Sequence, residues 1–187
     1  MIISIITSLM LCLGAPEDHL RDSMDYVQQS DQQSDMKGVI KLAKYVSWPD
    51  EYQMTKTTIM IAPKSDETYK TAEQLASDNK ILNTEIDLKR ISGGDSYDDE
   101  TLDDTKIIFI EAGSDIDIEK IIHKVSKKQI LTITNDIGLL EKGCMFYVKQ
   151  DPASGQIQYL YNKNAIISST LSISTLILTP EHNYEKQ

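Results

Sequence analysis

The feature that most constrains the fold is a continuous apolar run in the middle of the chain, Ile107 to Ile110, within the segment KIIFIEAG. A strand exposed on one face alternates apolar and polar residues, whereas a strand covered on both faces is apolar throughout. Gly113 follows the run, where a turn is expected. The segment therefore predicts a central strand with both faces buried.

The segments around this run alternate between strand-like and helix-like patterns. The predicted order is a buried strand in TTIMIAP, a polar helix over residues 67–79, a half-exposed strand in TEIDLKRI, a loop in GGDSYDDETLDD, the central strand, a helix over residues 116–125 and a strand in QILTITND. Such alternation favours a mixed, largely parallel sheet flanked by helices on both faces. The fold class is therefore α/β.

Two further patterns follow the alternating region. Asp151, Pro152, Ser154 and Gly155 separate two strand-like runs and predict an antiparallel hairpin. The next segment, NAIISSTLSISTLIL, is ambiguous, because its Ile, Ser and Thr residues favour a strand while its apolar residues keep a helical spacing. It is too short and too rich in hydroxyls to span a bilayer.

An amphipathic helix precedes the first strand. Met36, Val39, Ile40 and Ala43 recur at helical spacing, and Pro49 predicts that the helix ends near Trp48, the one tryptophan of the chain. Residues 16–35 are polar and rich in glutamine, and are predicted to form a weakly ordered leader.

The first fifteen residues are expected to be a signal peptide. An apolar run ends at Leu13, and small residues follow at the expected cleavage site. Since no Lys or Arg precedes the run, a buried N-terminal strand or helix remains the alternative. The predicted organisation is a signal peptide at 1–15, a leader at 16–35, one domain at 36–180 and a tail at 181–187.

Charge and cysteine content exclude several classes. The chain has 19 Lys and Arg against 29 Asp and Glu, a net charge of -10, which argues against binding to nucleic acid. Cys12 lies in the predicted signal peptide, so the mature chain keeps only Cys144 and forms no internal disulfide. The apolar neighbours of Cys144 predict a buried, unreactive thiol.

Residues for catalysis or metal binding are not arranged in any familiar motif. His19, His123 and His182 are not spaced with acidic residues or cysteine as metal ligands are. The acidic run from Asp95 to Asp104 lacks the ligand spacing of a calcium-binding loop and predicts a solvated loop. We therefore expect no cofactor and no enzymatic activity.

Four segments, in order, resemble the YfiR-like family of exported bacterial proteins: GVIKLAKYVSWP, KIIFIEAG, ILTITNDIGLLEKGCMFYV and IQYLYNKNAIISSTLSISTLIL. The resemblance covers Met36 to Leu178, with Cys144 where the family usually has glycine. It implies that the last apolar segment is a helix. It also implies a periplasmic regulator that represses a membrane-bound diguanylate cyclase through its exported sensor region, lowering cyclic-di-GMP and biofilm formation.

Three residues are candidates for contact with a partner or ligand: Tyr45, Trp48 and Asn162. Trp48 could instead pack over the sheet, and Asn162 could instead cap the last helix. The expected partner is an inner-membrane sensor protein, and a homodimer is left open. A periplasmic module that binds a small ligand in a cleft beside the strand ends is the alternative function.

Overall fold

The computed structural model describes residues 35–93, 99–151, 154 and 156–184. The predicted signal peptide and nearly all of the predicted leader lie outside these residues. Of the leader, only Asp35 is described.

Six helices and nine strands are present in the described part of the chain. The helices are α1 over residues 35–43, α2 Asp66–Asp78, α3 Asp99–Asp103, α4 Ile118–Val125, α5 Ile137–Glu141 and α6 Lys163–Ser168. The strands are β1 Val46–Ser47, β2 Lys56–Ala62, β3 Lys80–Ile81, β4 Thr84–Arg90, β5 Thr105–Ile110, β6 Leu131–Thr134, β7 Phe146–Gln150, β8 Ile157–Tyr161 and β9 Ser172–Ile173. Short 3-10 turns lie at Glu51–Gln53 and Pro180–His182.

Seven strands form the main sheet, in the order β3-β4-β2-β5-β6-β7-β8. The five strands from β4 to β7 are parallel, and the two edge strands, β3 and β8, are antiparallel to their neighbours. β1 and β9 pair separately as a small antiparallel sheet. The predicted mixed, largely parallel sheet and its antiparallel hairpin, β7–β8, are confirmed.

Each central strand is buried on both faces, as the apolar runs predict. Ile59, Ile107 and Phe109 point to one face, where they pack with residues of α1, α2 and the C-terminal segment. Met60 and Ile108 point to the opposite face, where they pack with residues of α3 and α4. The prediction of helices on both faces is therefore confirmed.

The chain leaves the helical conformation earlier than predicted at two places. Helix α1 ends at residue 43 rather than near Trp48, because Val46–Ser47 pairs with Ser172–Ile173. The predicted C-terminal helix is present as α6, but it covers only Lys163–Ser168 before the chain turns into β9. In both places a backbone partner distant in sequence replaces the local hydrogen bonds of a helix.

Two small elements escape prediction. Helix α3, Asp99–Asp103, lies in a segment predicted to be a loop, and Asp95 and Asp98 of that segment lie outside the described residues. The hairpin β3–β4 turns through Leu82 and Asn83, which both have positive φ, at 49° and 65°. A leucine in that conformation is uncommon, so the sequence carries little signal for this turn.

Helix α1 lies very close to the hairpin β7–β8 at Gly38. A methyl group added there would lie 2.3 Å from Val148 Cγ1 and 3.1 Å from Ile157 Cγ2. Real side chains do not approach so closely, and Val148 is buried and stiff. The absence of a side chain at Gly38 therefore allows α1 to lie this close to the hairpin β7–β8.

We predict that Gly38→Ala lowers the free energy of unfolding by about 1–3 kcal/mol, because the added methyl group overlaps Val148. Urea unfolding followed by circular dichroism measures the loss. Adding Val148→Ala should recover part of it, so the double variant should lose less than the sum of the single ones. Lys41→Ala, an exposed position on the same helix, is the control; equal losses at the two positions would contradict the contact.

Candidate docking surface

The pairing of β1 with β9 brings the two ends of the domain together. Val46 lies opposite Ile173, Ser47 lies opposite Ser172, and the Ser174 amide donates to the Tyr45 carbonyl at 2.9 Å. The chain after α1 and the chain after α6 therefore form one layer. We call this layer the C-terminal face, defined as Tyr45, β1, α6, β9 and the residues through Leu178.

Trp48 is buried beneath this layer, with only 1% of its surface exposed. Its indole nitrogen donates to the Gln129 carbonyl, at 3.0 Å, and the ring belongs to the core cluster that covers the sheet. The structure thus gives Trp48 the packing role. Contact between the indole and a partner stays a prediction, and it would require the ring to leave this position.

Tyr45 is half-buried and packs against the same cluster. Its backbone carbonyl is held by Ser174, which fixes the tyrosine at the rim of the C-terminal face. Of the three candidate contact residues, Tyr45 and Asn162 are half-buried, whereas Trp48 is fully buried.

Asn162 is the N-cap of α6, which confirms the capping interpretation. Its side-chain oxygen accepts from the Ala165 amide, at 3.0 Å, and its side-chain nitrogen donates to the Leu140 carbonyl, at 2.9 Å. Both ends of the amide are therefore used inside the protein. Asn162 holds the start of α6 against the end of α5, and its contact with a partner or ligand stays a prediction.

The most exposed apolar side chains of the C-terminal face were not among the predicted contact residues. Ile167 is 70% exposed and Leu176 is 75% exposed. No residue from Asn164 to Pro180 is charged, in a chain with a net charge of -10. Since the cores of protein interfaces are depleted in charge, this composition is typical of a contact surface. The absence of charge is visible in the sequence and could have drawn attention to it.

The carboxyl ends of the parallel strands form a second candidate site. The parallel strands follow the order 2-1-3-4-5, and in such sheets ligands bind outside the strand ends at the switch point, here between β2 and β5. The buried acidic side chains at this edge are Asp35 and Glu111, both only 5% exposed, and the half-buried Asn135 lies with them.

Hydrogen bonds within the chain occupy this edge. Glu111 accepts from the Lys64 amide at 2.8 Å, and the Ala112 amide donates to Asn135 Oδ1 at 2.6 Å. Asn135 Nδ2 donates to Asp35 Oδ2 at 2.8 Å, and the Gln150 amide donates to Asp35 Oδ1 at 3.1 Å. These bonds tie the start of α1 to the ends of β6 and β7, so the network has a structural role.

Burial raises the pKa of Asp35 above its usual 3.8, and the nearby charge of Glu111 adds to that effect. The hydrogen bonds from Asn135 and Gln150 and the charge of Lys149 oppose the rise in pKa. Burial also raises the pKa of the neighbouring Tyr147, with a contribution from Asp35.

Among the described residues, Cys144 and His182 have structural roles. Cys144 is fully buried, and burial raises the pKa of its thiol to about 12, which confirms the predicted unreactive thiol. His182 meets the Thr179 hydroxyl at 2.6 Å across a single 3-10 turn, and its ring stacks on Tyr159. Among the described residues, no group of acidic, histidine or cysteine side chains could hold a metal ion.

A family model described as YfiR/HmsC-like matches residues 32–179, which is most of the chain. The chain belongs to the YfiR/HmsC-like family. Members of this family are periplasmic, non-catalytic regulators of cyclic-di-GMP signalling that interact with a membrane sensor protein. Comparison with individual curated proteins gives no match. Within the described ranges, no helix of this YfiR/HmsC-like chain is both long and apolar enough to cross a membrane.

We predict that Trp48→Ala lowers the free energy of unfolding by about 3–5 kcal/mol, because a large buried ring is replaced by a cavity. Trp48→Phe keeps part of the ring without the indole N–H and should lose less. Urea unfolding by circular dichroism compares the two variants. A Trp48→Ala protein as stable as wild type would contradict the packing role.

Asp35 should make stability depend on pH in a defined direction. Because the folded-state pKa lies above 3.8, the stabilisation that Asp35 provides is complete below that value and is lost as pH rises through the folded-state pKa. The unfolding free energy of wild type minus that of Asp35→Asn should therefore fall as pH rises from about 3.5 towards neutrality. Urea titrations at a series of pH values measure this difference; a difference that rises with pH would contradict the assignment.

Proposed function

We propose that this protein is an exported, non-enzymatic repressor that binds the periplasmic sensor region of an inner-membrane diguanylate cyclase. Residues 1–15 would be removed on export, leaving the folded domain in the periplasm. Binding would lower cyclic-di-GMP and biofilm formation. Family membership supports the regulatory class, and the C-terminal face supports binding to a protein.

The observation that carries the proposal is the exposure of Ile167 and Leu176 in a stretch without charge. An exposed aliphatic side chain gains free energy when a partner covers it, about 25 cal/mol for each Å² of apolar surface removed from water. Charged side chains would have to be desolvated at such a contact, and this stretch has none. A protein partner with an apolar patch of its own fits these properties.

One of the three candidate residues would contact the partner, and the other two would support the C-terminal face. Tyr45 lies at the rim of the C-terminal face and would touch the partner. Trp48 and Asn162 would act from beneath, since one packs under the layer and the other caps α6. A substitution at either supporting residue would then weaken binding by moving the surface.

Repression would follow from a difference in affinity between two states of the sensor. A protein that binds the inactive state more tightly shifts the sensor towards it, and the size of the shift is limited by the ratio of the two affinities. A stress signal that breaks this contact would release the cyclase. The repressor needs no catalytic group for this mechanism.

The first experiment is affinity capture of the tagged, exported protein from gently crosslinked, solubilised membranes, followed by mass spectrometry. Recovery of an inner-membrane protein with a periplasmic sensor and a cytoplasmic cyclase domain supports the proposal. Recovery of the tagged protein alone, or of another class of protein, contradicts the cyclase assignment.

We predict that Ile167→Lys and Leu176→Lys each weaken binding to the captured sensor at least tenfold, because each places a charge in an apolar contact. Cellular cyclic-di-GMP should rise in both strains. Tyr52→Lys is the matched control, since Tyr52 is 94% exposed and lies outside the C-terminal face. The midpoint temperature of thermal unfolding should be nearly unchanged in all three variants. Sensor binding that is equally weakened in the control would place the contact elsewhere.

A further inference from the structure

Three lysines make up the exposed side of α1 and of the turn that follows it. From Met36 to Lys44, the exposed residues are Lys37, Lys41 and Lys44, and the other six are buried. Residues three and four apart lie on the same side of a helix. The Lys44 amide donates to the Lys41 carbonyl at 3.3 Å, so the turn keeps Lys44 in line with the other two. We call these three residues the lysine ridge, which is about 10 Å long at about 1.5 Å per residue.

The lysine ridge has no acidic partner among the described residues. None of the ion pairs between described side chains includes one of its lysines. Residues 36–49 contain no Asp or Glu, in a chain with a net charge of -10. Like charges three or four residues apart on a helix repel each other. An acidic group supplied by a partner would offset this repulsion.

The lysine ridge ends where the C-terminal face begins. Lys44 directly precedes Tyr45, whose carbonyl accepts from the Ser174 amide at 2.9 Å. The cationic stretch 36–49 therefore adjoins the uncharged stretch 164–180. Protein interfaces commonly have an apolar centre surrounded by a polar rim. The lysine ridge lies where the rim of a contact with the C-terminal face would be.

The surroundings of the lysine ridge favour a narrow acidic segment over a broad anionic surface. Helices α1 and α2 pack on the same face of the main sheet. A flat anionic membrane that met α1 on this face would also meet the carboxylates of α2, which repel it. A single acidic segment can lie along α1 without touching α2. The exposed charged residues of α2 are Asp66, Glu67, Lys70, Glu73 and Asp78.

We propose that the lysine ridge binds an acidic segment of the sensor, beside the apolar contact that the C-terminal face makes. The assignment of the partner rests on the proposed function. Because the protein as a whole is acidic, it repels such a segment over most of its surface and attracts it at the ridge. The ridge thus orients the sensor as it approaches, and the apolar contact holds the complex once it has formed.

Binding kinetics test this division of roles. In the triple variant Lys37→Gln, Lys41→Gln, Lys44→Gln, the association rate constant with the purified sensor region should fall about tenfold at low salt, and the dissociation rate constant should change less than about twofold. At about 1 M salt, where the Debye length is about 3 Å, wild type and variant should associate at nearly equal rates. Surface plasmon resonance over a series of salt concentrations measures both rate constants.

The matched control neutralises three exposed lysines outside α1: Lys70, Lys80 and Lys127. This triple Lys→Gln variant has the same net charge as the ridge variant, so its association rate constant should stay within about twofold of wild type if position matters more than total charge. Both triple variants should keep the wild-type midpoint temperature of thermal unfolding, because every changed side chain is exposed.

A second test uses a simple acidic probe and needs no sensor. Hexaglutamate should shift the amide NMR signals of residues 37–44 in labelled wild type and in the control variant, and should leave them unshifted in the ridge variant. Vesicles of phosphatidylglycerol should not sediment with the wild-type protein. Sedimentation that is lost in the ridge variant would instead assign the lysines to a membrane surface and would overturn the proposal.

The outcomes separate this proposal from the proposed function. If the sensor binds and Ile167→Lys weakens it, while the ridge variant associates as fast as its control, the ridge proposal alone is overturned. Hexaglutamate shifts spread equally over Lys70, Lys80 and Lys127 would also overturn it. If the wild-type protein binds no sensor at all, the proposed function falls and the assignment of the acidic segment to the sensor falls with it.

Discussion

The structure depends on the burial of its central parallel strands on both faces. Ile107, Ile108, Phe109 and Ile110 are each no more than 1% exposed, and they alternate between two separate core clusters. A sheet of this kind is stable only when helices cover both sides. Helices α3 and α4 cover one face, whereas α1, α2 and the C-terminal segment share the other.

Sharing one face among three elements explains the close packing around α1. Gly38 allows the helix to lie directly on Val148, and Asp35 ties its first turn to Asn135 and Gln150. The buried polar groups at this edge are satisfied by one another. In many α/β proteins the same edge is left open for a ligand. Here hydrogen bonds from Asn135 and from backbone amides to the buried carboxylates occupy it.

The short pairing of β1 with β9 creates the C-terminal face. It places the chain after α6 beside the chain after α1, and Trp48 packs beneath both. The exposed Ile167 and Leu176 belong to a layer that is held at several points by hydrogen bonds. Such a surface is preorganised, so a partner would bind it with little loss of conformational freedom.

The sequence by itself determined the α/β class, the parallel strands, the hairpin and the burial of Cys144, because each leaves a local pattern of apolar residues and turn residues. It also carried the family resemblance. Tertiary structure alone decided where α1 ends, how short α6 is, and that Trp48 faces the core. Val46 and Ile173 pair across more than a hundred residues, and no local pattern reports a backbone partner so distant in the chain. The same reason separates the candidate residues: a motif can identify Tyr45, Trp48 and Asn162, but only packing determines which of them a partner could reach.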